Sequence, residues 1–212
     1  MTADAELGTA PGTPADPEPG GTVAGPDGLA RCPWGISTPD YVTYHDTEWG
    51  VPLHGDDELF ERLCLEAFQS GLSWLTILRR RDGFRAAFDG FEIAKVAEYG
   101  DEDVTRLLAD TRIIRNRAKI VAAVANARVA RDLPGGLDTL IWSHAPNPVP
   151  PRPAPRTVAD VPAVTPESEA LAKDLRKKGF KFVGPTTAYA MMQACGLVDD
   201  HLAECHARRR PV

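Results

Sequence analysis

No apolar run in this 212-residue chain approaches the ~20 residues that a membrane-spanning helix needs, so no membrane contact is expected. The first thirty residues contain neither lysine nor arginine and no apolar stretch. That argues against a secretory leader and leaves a cytoplasmic location as the expectation. Alternating polar–apolar segments are missing, which removes the usual mark of half-buried strands. No internal repeat is evident, so arrays and solenoids are set aside. With only four cysteines and a reducing compartment expected, a disulfide scaffold is set aside too; metal binding or burial suits such thiols better. Aromatic residues make up only 7% of the chain, so a local concentration of them is informative.

What is present fits one domain of ordinary size with flanking tails. The net charge of −6 is concentrated at the N-terminus, where Asp4, Glu6, Asp16, Glu18 and Asp27 account for all but one of the net negative charges. Residues 1–30 are also rich in proline and poor in apolar residues, so they are expected to form a disordered tail. The ordered domain is expected over 31–207, with a proline-rich loop at 146–166 and a C-terminal tail at 208–212. The nearly neutral remainder neither excludes nucleic acid nor advertises it through a strong basic field.

The periodicity predicts an all-α domain. Residues 31–55 read as an irregular packed segment. Helical spacing then begins at Asp56 with Leu59, Phe60, Leu63, Cys64 and Ala67. A second helix carries Leu72, Leu75, Ile77 and Leu78 and ends in Arg79-Arg80-Arg81. Further helices are expected at about 94–98, 101–110 and 115–131, the last stopped by Pro134-Gly135-Gly136. Thr165-Pro166-Glu167 reads as a cap, a proline at the first position and an acid, with Gly179 as the stop. Pro185 opens another helix ending at Gly196, and Asp199 or Asp200 caps a last one containing His201 and Cys205.

Two groups of residues suggest chemistry. Cys32 and His45 begin the ordered region, and His201 and Cys205 end it. On a helix the latter pair would share a face, and two thiolates with two imidazoles would close a tetrahedral Zn2+ site. Either pair alone is equally consistent with a buried thiol and a hydrogen-bonded histidine. Cys64 and Cys195 lie in apolar helical stretches and read as core thiols.

Glu66 falls roughly 20° from Leu59 on a helical wheel, whereas Glu58, Glu61 and Arg62 gather on the polar side. A carboxylate on an apolar shoulder is costly without a partner. Trp34, Tyr41, Tyr44, Trp49 and Trp74 lie nearby in sequence. Acid and rings together suit a planar, electron-poor ligand, although core packing with a nearby arginine would also explain them. Gly184-Pro185 before a helix can present free N–H groups to a phosphate, or be a plain helix–helix turn.

The segments RCPW, YHDTEWGVP, LFERLCLEAFQSGLSWLTIL, IIRNRAKI and GFKFVGPTTAYAMMQACGLVDDH, with the final Cys205, together resemble the DNA-3-methyladenine glycosylase I family of helix-hairpin-helix glycosylases. The resemblance covers about 31–205. It implies a monofunctional enzyme that removes 3-methyladenine from alkylated double-stranded DNA, as a monomer without an obligate protein partner. It implies one structural Zn2+ on Cys32, His45, His201 and Cys205, and a base-recognising Glu66. It likewise implies base contacts from Trp34, Tyr44 and Trp74. A gap-filling loop over Gln69, Gly71 and Leu72 and a backbone-gripping hairpin that includes Gly184 and Thr186 complete the implied set. Thr186 stands where lyase members of the superfamily carry lysine. Two rival readings are a zinc-stapled DNA-binding module without catalysis and a zinc hydrolase.

Overall fold

The computed structural model describes residues 20–146 and 153–208. Residues 1–19 of the tail expected at 1–30, residues 209–212 of the one expected at 208–212, and residues 147–152 of the proline-rich loop lie outside them. Ten α-helices fill most of the described chain: α1 (Pro39–Thr47), α2 (Asp56–Gln69), α3 (Trp74–Leu78), α4 (Arg81–Ala87), α5 (Ile93–Ala97), α6 (Asp101–Ala109), α7 (Arg117–Arg131), α8 (Gly136–Trp142), α9 (Pro166–Lys178) and α10 (Pro185–Ala194).

The central helix is α2. Leu59, Phe60, Leu63 and Phe68 are each at most 2% exposed, and they pack into a core shared with α5, α7, α8 and α10. Phe84, Phe88 and Phe91 stack through that core, with Phe88 and Phe91 nearly parallel at 5.2 Å, and Phe60 meets Phe91 edge-on. Such ring pairs contribute about 0.5–1.5 kcal/mol each beyond their burial.

Local chemistry sets several boundaries. Thr165 caps α9 through its Oγ1, which accepts from the Ser168 N–H at 3.3 Å. Gly179 ends the helix in the left-handed region at φ 107°. These are the bounds that the cap, proline and glycine predict. Asn116 caps α7 by accepting from the Lys119 N–H, so that helix starts slightly later than expected.

Four expectations are corrected. Residues 33–47 are not irregular: a 3-10 turn at Pro33–Ile36 leads into α1, with Thr38 as cap and Pro39 at its first position. Periodicity missed α1 because PDYVTYHDT carries no apolar stripe. The basic run is shared between two helices: Arg79 caps the end of α3, as expected, whereas Arg81 begins α4, and Leu72 stays in the loop before α3. Helix α8 was not expected after Pro134-Gly135-Gly136.

The third correction concerns strands. Val23–Ala24 pairs antiparallel with Ala30–Arg31, so a short hairpin straddles the expected boundary at residue 31. Composition could not reveal the reason. Arg31 is only 3% exposed, and Asp27 of the acidic segment meets its guanidinium at 2.7 and 2.8 Å.

The fourth is the last helix. His201 and Cys205 lie in turns, because the backbone N–H groups there are committed elsewhere. Those of residues 201, 202, 203 and 206 donate to Asp199 Oδ1, Cys32 Sγ, Pro155 O and Ala30 O. No helical ladder can form from donors already spent.

Candidate active site and metal centre

The two ends of the ordered region converge. Cys205 Sγ lies 3.4 Å from His45 Nε2 and 3.5 Å from His201 Nδ1, and Cys32 Sγ lies 3.8 Å from His201 Nδ1. All four ligand atoms fall within 4.8 Å of one another, and all four residues are buried. This cluster can hold a metal ion. The second ring nitrogens are also engaged: His45 Nδ1 sits 2.7 Å from Asp46 Oδ1, and His201 Nε2 sits 3.1 Å from the Trp49 carbonyl. Both contacts fix the tautomer that leaves a lone pair facing the cluster. Hydrogen bonds from Cys32, His201 and His45 hold the Cys205 thiol far below its ordinary range, which favours a thiolate.

Asp46 is the hub behind the cluster. It accepts from Arg31 Nε at 2.9 Å and from Nη2 at 2.7 Å, and it meets His206 Nε2 at 3.0 Å. Burial opposes its charge, but these donors prevail and hold its carboxyl below the usual range. Cys64 and Cys195 are core thiols as expected, 1% and 0% exposed.

Beside the cluster opens a cavity of about 330 Å3, at the small end of ligand pockets and suited to one small planar molecule. Trp34, Tyr44 and Trp74 line it, brought together from the 3-10 turn, α1 and α3. Trp34 lies 6.3 Å from Tyr44, and Tyr44 lies 5.5 Å from Trp74, centroid to centroid. Glu66 enters from α2 and is 5% exposed. Its carboxylate accepts no hydrogen bond from any described residue, and burial pushes it up to about 7 against the pull of Arg62. Trp74 Nε1 is a buried donor without a partner.

Arg62 does not join the polar side as the wheel suggests. It is 8% exposed, its Nη1 donates to Tyr44 Oη at 3.1 Å, and no ion pair joins it to Glu66. The wheel counts only α2's own residues; α1 and α3 cover that flank and turn it inward.

Gln69 also lines the cavity, whereas Gly71 and Leu72 lie in the α2–α3 loop and do not line it. Gly71 has φ 82°, a turn that glycine adopts freely, and Leu72 is 41% exposed. Gly184 caps α10 and Thr186 is exposed one turn before Ala190, which does line the cavity. Asn126 grips this hairpin, accepting from the Lys181 N–H at 2.8 Å and donating to its carbonyl at 3.1 Å.

Sequence reasoning missed several lining residues. Val158 and Val161 bring the proline-rich segment to the cavity wall, and Gln193 and Asp200 come from α10 and the segment after it. Proline content marks a loop but not where it lands. Tyr41 and Trp49 were noted only as part of the aromatic group.

The sequence pattern of the methyladenine glycosylase family matches residues 34–209. The chain is 45% identical over 180 residues to DNA-3-methyladenine glycosylase 1 of Escherichia coli, covering 84% of this chain and 96% of that protein. It is 43% identical to DNA-3-methyladenine glycosylase of Haemophilus influenzae, covering 82% and 96%. The fold superposes on the 3-methyladenine DNA glycosylase I of Staphylococcus aureus with a TM-score of 0.80 at 34% identity, covering 86% and 98%. On this agreement of sequence, fold and cavity, the chain belongs to the methyladenine glycosylase family.

Proposed function

We propose that the chain is a base-excision-repair DNA glycosylase that hydrolyses the N-glycosidic bond of 3-methyladenine in alkylated double-stranded DNA, freeing the base and leaving an abasic site. The observation that carries this reading is the buried, unpartnered Glu66 carboxylate opening on a ring-lined cavity. The activity named for the relatives supports it.

Methylation at N3 makes the base cationic, so its bond to the sugar is already weak and it departs as a neutral molecule. Recognition therefore matters more than protonation. Glu66 accepts hydrogen bonds from the base edge, Trp34 and Trp74 stack on its faces, and Tyr44 orients it. A site built on such bonds rejects bases that cannot make them. Extruding the nucleotide costs a few kcal/mol, less for a damaged base. Leu72 fills the gap in the stack, with Gln69 and Gly71 shaping its loop. Gly184 and Thr186, at the start of α10, contact backbone phosphates. Thr186 has no amine to attack the sugar, so water is the nucleophile and no lyase step follows.

The cluster holds one structural Zn2+. Tetrahedral bond lengths imply S···N separations of about 3.5 Å, and those observed run from 3.4 to 3.8 Å. Four protein ligands leave no open position, which disfavours a zinc hydrolase. The ion's chemistry is to bind thiolate and imidazole and so tie the two ends of the domain. The enzyme works as a monomer, in the cytoplasm, without an obligate protein partner.

Chromatography of bases freed from methylated duplex DNA tests the proposal. The wild-type chain is expected to release 3-methyladenine, and Glu66→Ala to lower release by orders of magnitude with metal content intact. Near-normal release by the variant removes Glu66 from the site. Release of no methylated base by the wild type removes the function, while strand cleavage without alkali removes the monofunctional step.

A further inference from the structure

Arg62 is a cation enclosed by the candidate site, yet no residue implied by the family resemblance accounts for it. It stands one turn before Glu66 on the same face of α2. Its guanidinium carbon lies 5.6 Å from the ring centroid of Tyr44 and 5.4 Å from that of Trp74, and Nη1 donates to Tyr44 Oη. One buried charge thus lies over both rings and acts electrostatically on the Glu66 carboxylate one turn along the helix.

The charged and titratable neighbours narrow its partner. From α1 comes Tyr44 and from its C-terminal cap Glu48, which is already held by a two-point ion pair to Arg81 of α4. Behind α10 lies Cys195, whose thiol burial pushes up to about 12 and so keeps neutral. Cys32 and Asp200 line the cavity wall, the former in the metal cluster and the latter accepting from Tyr189 and Gln193. On Arg62's own helix Glu61 is paired with Arg85 of α4, and Glu66 is the acid of that helix that acts on Arg62.

We propose that Arg62 is a positioning residue for this site, holding Glu66 in its ionised, hydrogen-bond-accepting form and fixing the planes of Tyr44 and Trp74. The inference deepens the glycosylase reading and rests on it for its kinetic consequences, but the charge state of Glu66 can be measured independently. Protonation would turn one carboxylate oxygen into a donor, the wrong partner for a base edge that offers N–H. Burial already brings Glu66 to the edge of that change near neutrality. The adjacent cation opposes that rise and favours the ionised form.

The experiment combines a carboxyl-carbon NMR titration of Glu66 with kcat and KM for base release between pH 6 and 9, in wild type, Arg62→Met and Arg62→Lys. Arg62→Met should raise the Glu66 midpoint by about one unit or more and shift the acid limb of kcat/KM with it. Release at pH 7 should then fall roughly tenfold and recover in part at pH 9. Arg62→Lys should keep the midpoint near that of wild type while raising KM, because lysine retains charge but not the planar seat under the rings. An unmoved Glu66 midpoint in Arg62→Met overturns the inference. Should that variant not fold, Arg62→Gln replaces it with the same expected upward shift and the same overturning result. A wild type that releases no methylated base overturns the glycosylase reading alone, since the titration still judges Arg62.

Discussion

Glu66 illustrates the tension between stability and chemistry at the level of single residues. A carboxyl that burial raises from its ordinary value to about 7 favours folding while protonated, below its unfolded pKa. That contribution is lost as pH rises through 7, where the charge must be carried in a nearly closed site. Glu66→Gln should therefore be more stable than wild type at pH 8, by roughly 2–3 kcal/mol, with the difference fading toward pH 4. Urea unfolding at the two pH values measures it, and an equal difference at both would contradict the assignment. The same substitution is expected to abolish most base release, because it removes the negative charge and turns one of the two acceptor oxygens into an NH2 donor.

Between elements, two buried polar side chains of α7 hold the two loops proposed to contact DNA. Lys119, 8% exposed, donates from Nζ to the carbonyls of Phe68 at 2.8 Å and Ser70 at 2.6 Å. It caps the C-terminus of α2 where the loop to Leu72 departs, and supplies a cation at the negative end of that helix. Lys119→Met should cost about 1–3 kcal/mol by leaving carbonyls unpaired. It should lower release from duplex DNA more than affinity for the free base, read by tryptophan fluorescence. Asn126, 1% exposed, performs the matching task for the hairpin through its two bonds to Lys181. Asn126→Ala should weaken duplex binding at fixed salt while leaving free-base affinity within about twofold; equal loss of both would point to general unfolding instead.

Over the whole molecule, the metal cluster joins segments 160 and 169 residues apart. A small second core of Cys32, Leu202 and Cys205, flanked by Trp34 and Val161, surrounds it apart from the main helical core. Metal binding there is coupled to closure of nearly the full chain length. Cys205→Ser should lose the ion, lower the melting temperature and expose residues 199–208 to protease. The core around α2 should keep its helical signal. A stable variant that stays metal-bound but inactive would refute the structural role.

Much of the fold was legible because its signals are local. The cap, proline and glycine of α9 need only neighbours in sequence, as does the apolar spacing along α2. The helix at 39–47 lacked a stripe to betray it, although Thr38-Pro39 carried its start. The resemblance grouped Cys32, His45, His201 and Cys205, and likewise Trp34, Tyr44 and Trp74, and the structure brings each group together. The expected helix through His201 and Cys205 was nonetheless wrong, because the pair meets at 3.5 Å in turns whose N–H groups serve Cys32 and Pro155.

By itself the sequence determined which residue types the protein holds, the bounds of helices with local signals such as α2 and α9, and its family, since caps, periodicity and motif spacing act over a few residues. Only the tertiary structure decided that Arg62 turns inward, that Asp27 anchors Arg31, and that Val158 and Val161 wall the cavity. Each of those depends on which surface a distant segment covers, and burial in this sense is a property of the assembled molecule rather than of any stretch of chain.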